Sequence, residues 1–128
     1  MKQVIKGLAI FLMLIVVTSC QDDNDTQQRD PLVGIWYPFS EDGVEESDCR
    51  KESTFTFSTD GTYRSIGIID DTDGTCINDF DYNGTWENVG SNTYEFIASD
   101  NDNPDRIEFI FSDNNNTFTI GTSVYKRK

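Results

Sequence analysis

The chain of 128 residues contains no histidine. That removes the commonest general base and the commonest transition-metal ligand together, and with them His-dependent triads and His-based zinc sites. The chemistry left rests on three cysteines, 23 acidic residues and an aromatic set of nine Phe, five Tyr and two Trp. Asp70, Asp71, Asp73, Asp79 and Asp81 form an acidic stretch that could offer several oxygens to calcium, a hard ion that wants them. Tested against the EF-hand loop, the stretch fails: placing Asp71, Asp73 and Gly74 at the third, fifth and sixth positions puts Ile69 first and Phe80 last. In the second cluster, Asp100, Asp102 and Asp105, Pro104 stands where a ligand belongs. Both stretches read better as solvated loops. Ser65 lies in no G-x-S-x-G elbow, and phosphate-loop motifs are absent. Carboxylates are plentiful, but no pair of them marks itself as catalytic. The residues therefore predict a protein that is not an enzyme and has no metal or cofactor.

The N-terminus carries an address. Lys2 and Lys6 give a basic start, residues 7–17 are apolar, and the small pair Thr18-Ser19 precedes Cys20. This is the layout of a secretory signal peptide, and the apolar run is too short to cross a bilayer, which takes about 20 residues. Val17-Thr18-Ser19-Cys20 resembles the lipobox of bacterial lipoproteins, which implies cleavage before Cys20 and a diacylglyceryl group on its sulfur. An ordinary signal peptide with a chance cysteine is the alternative. Two acyl chains suffice for stable anchoring, so Cys20 would tie the domain to a membrane. The acidic tract Asp22, Asp23, Asn24 and Asp25 is similar to surface-export signals of some didermal bacteria, which points to the outer face of the outer membrane. Retention at the inner membrane and a plain solvated linker are the other two readings of the tract.

The expected organisation is a signal peptide over 1–19, a lipidated cysteine and acidic tether over 20–30, and one folded domain over 31–128. The formal charge of −13 repels phosphate backbones and excludes nucleic-acid binding, and cleavage would sharpen it by removing Lys2 and Lys6. So many aromatics in a short chain argue for a packed core rather than disorder. With Cys20 lipidated, Cys49 and Cys76 remain as an even pair in an exported, oxidising setting, where a disulfide is favoured over a metal pair or a nucleophile. The loop it closes is about 28 residues, worth roughly 3.5 kcal/mol in loop-closure entropy.

From Pro31 onward, apolar and aromatic residues alternate with polar ones in short runs broken by Gly, Asn and Asp clusters, the pattern of strands and turns. Runs fall at 32–39, 53–58, 62–69, 82–88, 93–98, 106–112, 117–120 and 124–126, with Thr59-Asp60-Gly61 as a tight turn. The polar region 41–51 is read as a short helix or loop leading to Cys49. Seven or eight strands in up-and-down order predict an all-β protein, either a sandwich or a small antiparallel barrel; a barrel leaves fewer exposed edges.

Gly34-x-Trp36 on the first strand resembles the lipocalin G-x-W motif. With Cys49, Phe55-x-Phe57, Asp60-Gly61-Thr62-Tyr63, Cys76 and Gly84-Thr85-Trp86, the set is similar to lipocalin-like domains of small bacterial surface lipoproteins over residues 32–120. The resemblance implies an up-and-down barrel in which Trp36 packs across one end. It brings no binding residues. The inward aromatics either fill a narrow barrel, which is the favoured expectation, or line a cavity for an apolar ligand. The expected function is accordingly a non-enzymatic interaction module, whose loops at 70–81 and 99–105 touch an envelope protein or glycan; the alternative is a carrier of a small hydrophobic molecule. For the anchor the outcome is concrete: Cys20→Ala should leave an uncleaved precursor that carries no acyl mass and no longer partitions into detergent.

Overall fold

The computed structural model describes residues 29–128. The signal segment, Cys20 and the tether through residue 28 lie outside the described residues. The strands are β1 (Gly34–Glu41), β2 (Val44–Glu45), β3 (Thr54–Phe57), β4 (Thr62–Asp70), β5 (Cys76–Gly90), β6 (Thr93–Ala98), β7 (Asp105–Glu108), β8 (Ile110–Ser112), β9 (Thr117–Ile120) and β10 (Ser123–Arg127), with one helix, α1 (Asp48–Glu52). Every pairing is antiparallel, and the strand order is β7-β6-β5-β4-β3-β1-β10-β9-β8, with β2 attached to β1 off this path. The architecture is a nearly closed all-β barrel. β7 and β8 are successive pieces of one segment, so the two ends of the sheet meet in a single stretch of chain.

Local chemistry explains the turns. Between β3 and β4 the Asp60 carboxylate accepts from the Thr62 N–H at 2.9 Å and its hydroxyl at 2.7 Å, while Gly61 takes a φ of 83° that favours glycine. Asp73 holds Thr75 in the same way at the β4–β5 turn. These acids serve their own backbone. Ser47 caps α1 by accepting from the Arg50 N–H at 3.2 Å, with Asp48 in the first turn.

The structure departs from the sequence reading at three places. The stretch 70–81 is not a loop: only residues 71–75 turn, and β5 begins at Cys76, pairing Ile69 with Ile77 and Ile66 with Asp81. Its outer face is polar because it faces water, and Arg64 grips Asp81 there with two hydrogen bonds of 2.9 and 2.6 Å. The single strand expected at 106–112 is interrupted at Phe109, whose N–H donates to the Asn92 carbonyl at 2.8 Å, so that residues before it pair with β6 and residues after it with β9. The domain also begins before Pro31, because Asp30 is bonded into the barrel, as described below.

The core is a continuous aromatic cluster of Trp36, Phe57, Tyr94, Phe109 and Phe118 with Leu32, backed by half-buried Phe55, Tyr63, Trp86, Phe96 and Tyr125. Gly84 lies where a Cβ would collide with the backbone of Ile97 and Ala98 and with the Tyr63 ring. Trp86, two residues on, donates its indole N–H to the Thr62 carbonyl at 3.0 Å and meets Phe57 edge to face. A disulfide joins Cys49 on α1 to Cys76 at the start of β5, with Cα atoms 5.2 Å apart. It pins the helix against the β4–β5 hairpin, where Ser47 also donates to the Asp70 carboxylate. Replacing both cysteines by serine should lower the urea-unfolding free energy by roughly 3.5 kcal/mol, since the bond closes a loop with a sequence separation of 27. An unchanged urea midpoint would show that the crosslink carries no stability.

Candidate functional site

The two ends of the barrel differ. At the first, Trp36 is fully buried. Its ring meets Phe118 edge to face with centroids 4.6 Å apart, and its indole N–H donates to the Leu32 carbonyl at 2.8 Å. Arg127, on the last strand, lays its guanidinium 4.1 Å over that ring. It donates to the carbonyls of Val33, Pro31 and Asn115, each at 2.8 Å. Gly34, with φ of 144°, lies directly under the guanidinium and has no room for a Cβ. Asp30 completes the seal by accepting from the Tyr94 hydroxyl and the Leu32 N–H, both at 2.8 Å, and from the Asn88 amide at 2.7 Å. This end is shut.

The other end is open. An inner chamber of about 370 Å³ lies among inward-facing side chains of the barrel. Its walls come from inward positions of successive strands: Phe55 and Phe57 on β3, Tyr63 and Ser65 on β4, Phe96 on β6, Asp105 and Ile107 on β7, Phe118 and Ile120 on β9, and Tyr125 on β10, with Phe109 beneath. An outer chamber of about 470 Å³ shares Phe55, Tyr63 and Ser65 with it and is bounded by Phe80, Tyr82, Ala98, Asp100 and Asn101. The chambers exist because the strands do not match in length. β6 ends at Ala98 opposite Gly84, so β5 runs on to the disulfide paired with β4 alone, while β3 accompanies β4 as far as Ile66. β7 pairs with β6 only, leaving the ladder open between it and the end of β9.

Aromatic rings brace the walls. Phe55 meets Tyr125 edge to face at 5.3 Å, Tyr63 meets Phe96 likewise at 5.6 Å, and Tyr125 stacks on Phe118 at 4.8 Å. Along the outer chamber Phe80 and Tyr82 lie parallel, 5.2 Å apart. Phe80 can lie flat there only because Gly67 opposite it carries no side chain; Tyr82 keeps 56 % of its surface exposed. No lysine or arginine lines either chamber. Of the nearby cations, Arg50 is paired with Glu46, Lys51 with Glu45, Arg64 with Asp81 and Arg106 with Glu95, and Lys126 lies over the Phe39 ring.

Six of the residues singled out by sequence thus have a place. Gly34 and Trp36 belong to the shut end, Gly84 and Trp86 to the wall between β4 and β6, Cys49 and Cys76 to the rim of the open end, and Cys20 lies outside the described residues. The interior is packed with aromatic rings around Trp36, Tyr94 and Phe109 and keeps a chamber beside them. Sequence reasoning missed Arg127, Asp30, and the pairing of Gly67 with Phe80; the first two sit in polar terminal stretches and gave no periodic signal. Among the described residues no group of three or more Cys, Asp or Glu is arranged to hold a metal ion. No family of known proteins matches the chain, and no curated protein is significantly similar to it.

Burial raises the hydroxyl pKa values of Tyr63, Tyr94 and Tyr125. Asp30 adds to the effect at Tyr94, the carboxylates of Asp100 and Asp105 at Tyr63, and Glu41 at Tyr125, where the Arg50 guanidinium opposes it. In the unfolded chain these phenols ionise near pH 10, about the reference value. The fold holds their protons longer, so above that pH the folded state binds more protons than the unfolded state and stability falls as pH rises. The urea-unfolding free energy should therefore decline above about pH 10, and Tyr94→Phe should blunt the decline. A stability that rose through that window would contradict this account.

Proposed function

We propose that this protein is a lipid-anchored binding protein of the bacterial cell envelope that takes a small, mainly apolar molecule into the open half of its barrel. The observation that carries the reading is the inner chamber. Its volume of about 370 Å³ falls within the roughly 300–1,000 Å³ of small-molecule sites, which are concave, apolar and furnished with a few polar groups. Aromatic walls give a ligand large contact areas at little entropic cost, since the rings already brace one another. Ser65 and the hydroxyl of Tyr63 supply the polar points. The anchor and the envelope location rest on the N-terminal sequence pattern at Cys20, and the lipocalin-like character on the motif set around Gly34 and Trp36.

The other reading, an interaction module for an envelope protein or glycan, draws on the projecting β4–β5 hairpin and the exposed Tyr82. One experiment separates the two. Native mass spectrometry of the protein purified from a bacterial host should show a small-molecule mass that is lost on solvent extraction. Ser65→Trp, which plugs the shared wall, should reduce the occupied fraction at least tenfold while circular dichroism stays that of the barrel. A clean apo mass in the unaltered protein, two hydrogens light for the disulfide, would overturn ligand carriage and favour the interaction module.

A further inference from the structure

Resting on the cavity reading above, we infer that the ligand is a cationic amphiphile: an apolar body held among Phe57, Phe96 and Phe118, and an ammonium-type head held at the mouth by Asp100, Asp105 and the face of Tyr82. Three observations converge on this. First, the only charged side chains among the residues lining the two chambers are carboxylates, Asp105 in the inner and Asp100 in the outer. Neither is engaged in an ion pair among the described residues. An anionic amphiphile such as a fatty acid would bring its carboxylate to chambers whose lining offers no counter-charge and two like charges, at a cost in both repulsion and desolvation.

Second, the aromatic faces attract cations. A ring presents negative quadrupolar charge from its face, and quaternary ammonium groups are held by several such faces at once. Phe80 and Tyr82 form a parallel pair on the wall of the outer chamber, and half-buried Tyr63 and Phe55 line both chambers. The carboxylates of Asp100 and Asp105 add to the burial that raises the hydroxyl pKa of Tyr63, which lines both chambers.

Third, the whole molecule carries a formal charge of −13. A field of that sign concentrates cations near an acidic cleft and speeds their arrival, an effect that salt weakens. The outer chamber, more polar through Asp100 and Asn101, suits the head, and the apolar inner chamber suits the body.

The test compares three molecules that share one decyl chain: decyltrimethylammonium, decanol and decanoate, titrated into the purified protein below their micelle concentrations by isothermal calorimetry. We expect the cation to bind roughly tenfold more tightly than decanol, the increment of about 1.4 kcal/mol that one desolvated cation–π contact with a nearby carboxylate supplies, and decanoate more weakly than decanol. The ratio of cation to alcohol affinity should shrink on adding salt, and in the double variant Asp100→Asn, Asp105→Asn it should fall toward one. Equal affinity for the cation and the alcohol, or tightest binding of decanoate, would overturn the inference and leave the apolar cavity standing. Absence of binding by all three would overturn both. A ratio that survives the double substitution would overturn the assignment of the head to Asp100 and Asp105.

Discussion

The contact between Trp36 and Arg127 is the constraint from which the rest of the barrel follows. The indole comes from the first long strand and the guanidinium from the last, so their stack joins the two strands that flank the chain's largest sequence separation. Five N–H bonds make Arg a planar fork, and here three of its hydrogen bonds go to carbonyls of Pro31, Val33 and Asn115. A cation in that position is costly unless its donors are met, and burial does pull the Arg127 pKa below its ordinary value. Carbonyl partners and an aromatic face together satisfy it, which is why the bare backbone of Gly34 has to lie underneath.

Shutting one end in this way settles what the other end can be. A barrel of eight staves is just wide enough for its interior to be filled by side chains or to hold one small ligand. Here a single population of aromatic residues does both. Trp36, Tyr94, Phe109 and Phe118 interlock at the shut end and are almost fully buried. Phe55 on β3, Tyr63 on β4, Phe96 on β6 and Tyr125 on β10 are only half-buried because the strands around them stop at different heights. The cavity is a consequence of unequal strand lengths rather than of small side chains. Without the wall of stacked Phe80 and Tyr82 that Gly67 permits, the long β4–β5 hairpin would have nothing apolar to present toward it.

Much of this was legible in the sequence, and the failures have physical causes. Alternation of Phe55 with Phe57, and of Tyr94 with Phe96, sets both strand identity and facing, because side chains on a strand repeat every second residue. The same alternation through Ile107, Phe109 and Phe111 concealed the break at Phe109: side-chain periodicity says which face is buried and nothing about which neighbour receives each N–H. The stretch from Cys76 to Asp81 looked like a loop because its outer face is solvated, though its partner strand carries Ile66, Ile68 and Ile69. Asp30 looked like tether. Its role depends on Tyr94 and Asn88, which are 64 and 58 residues away in sequence, and nothing local to Asp30 encodes that meeting. The cavity was undecided for a related reason, since the count of aromatic residues is the same whether they fill a volume or surround one.

The seal also fixes how the mouth relates to the anchor we propose. Asp30 is at the shut end, ten positions after Cys20 in the sequence. A lipid on Cys20 would therefore join the barrel through its shut end. The mouth lies at the opposite end, beside the disulfide and the hairpin tips. A ligand dissolved in the surrounding medium would reach such a mouth directly. One residing in the bilayer would first have to leave it, which favours occupants with appreciable solubility in water, as a charged head confers, over wholly apolar lipids.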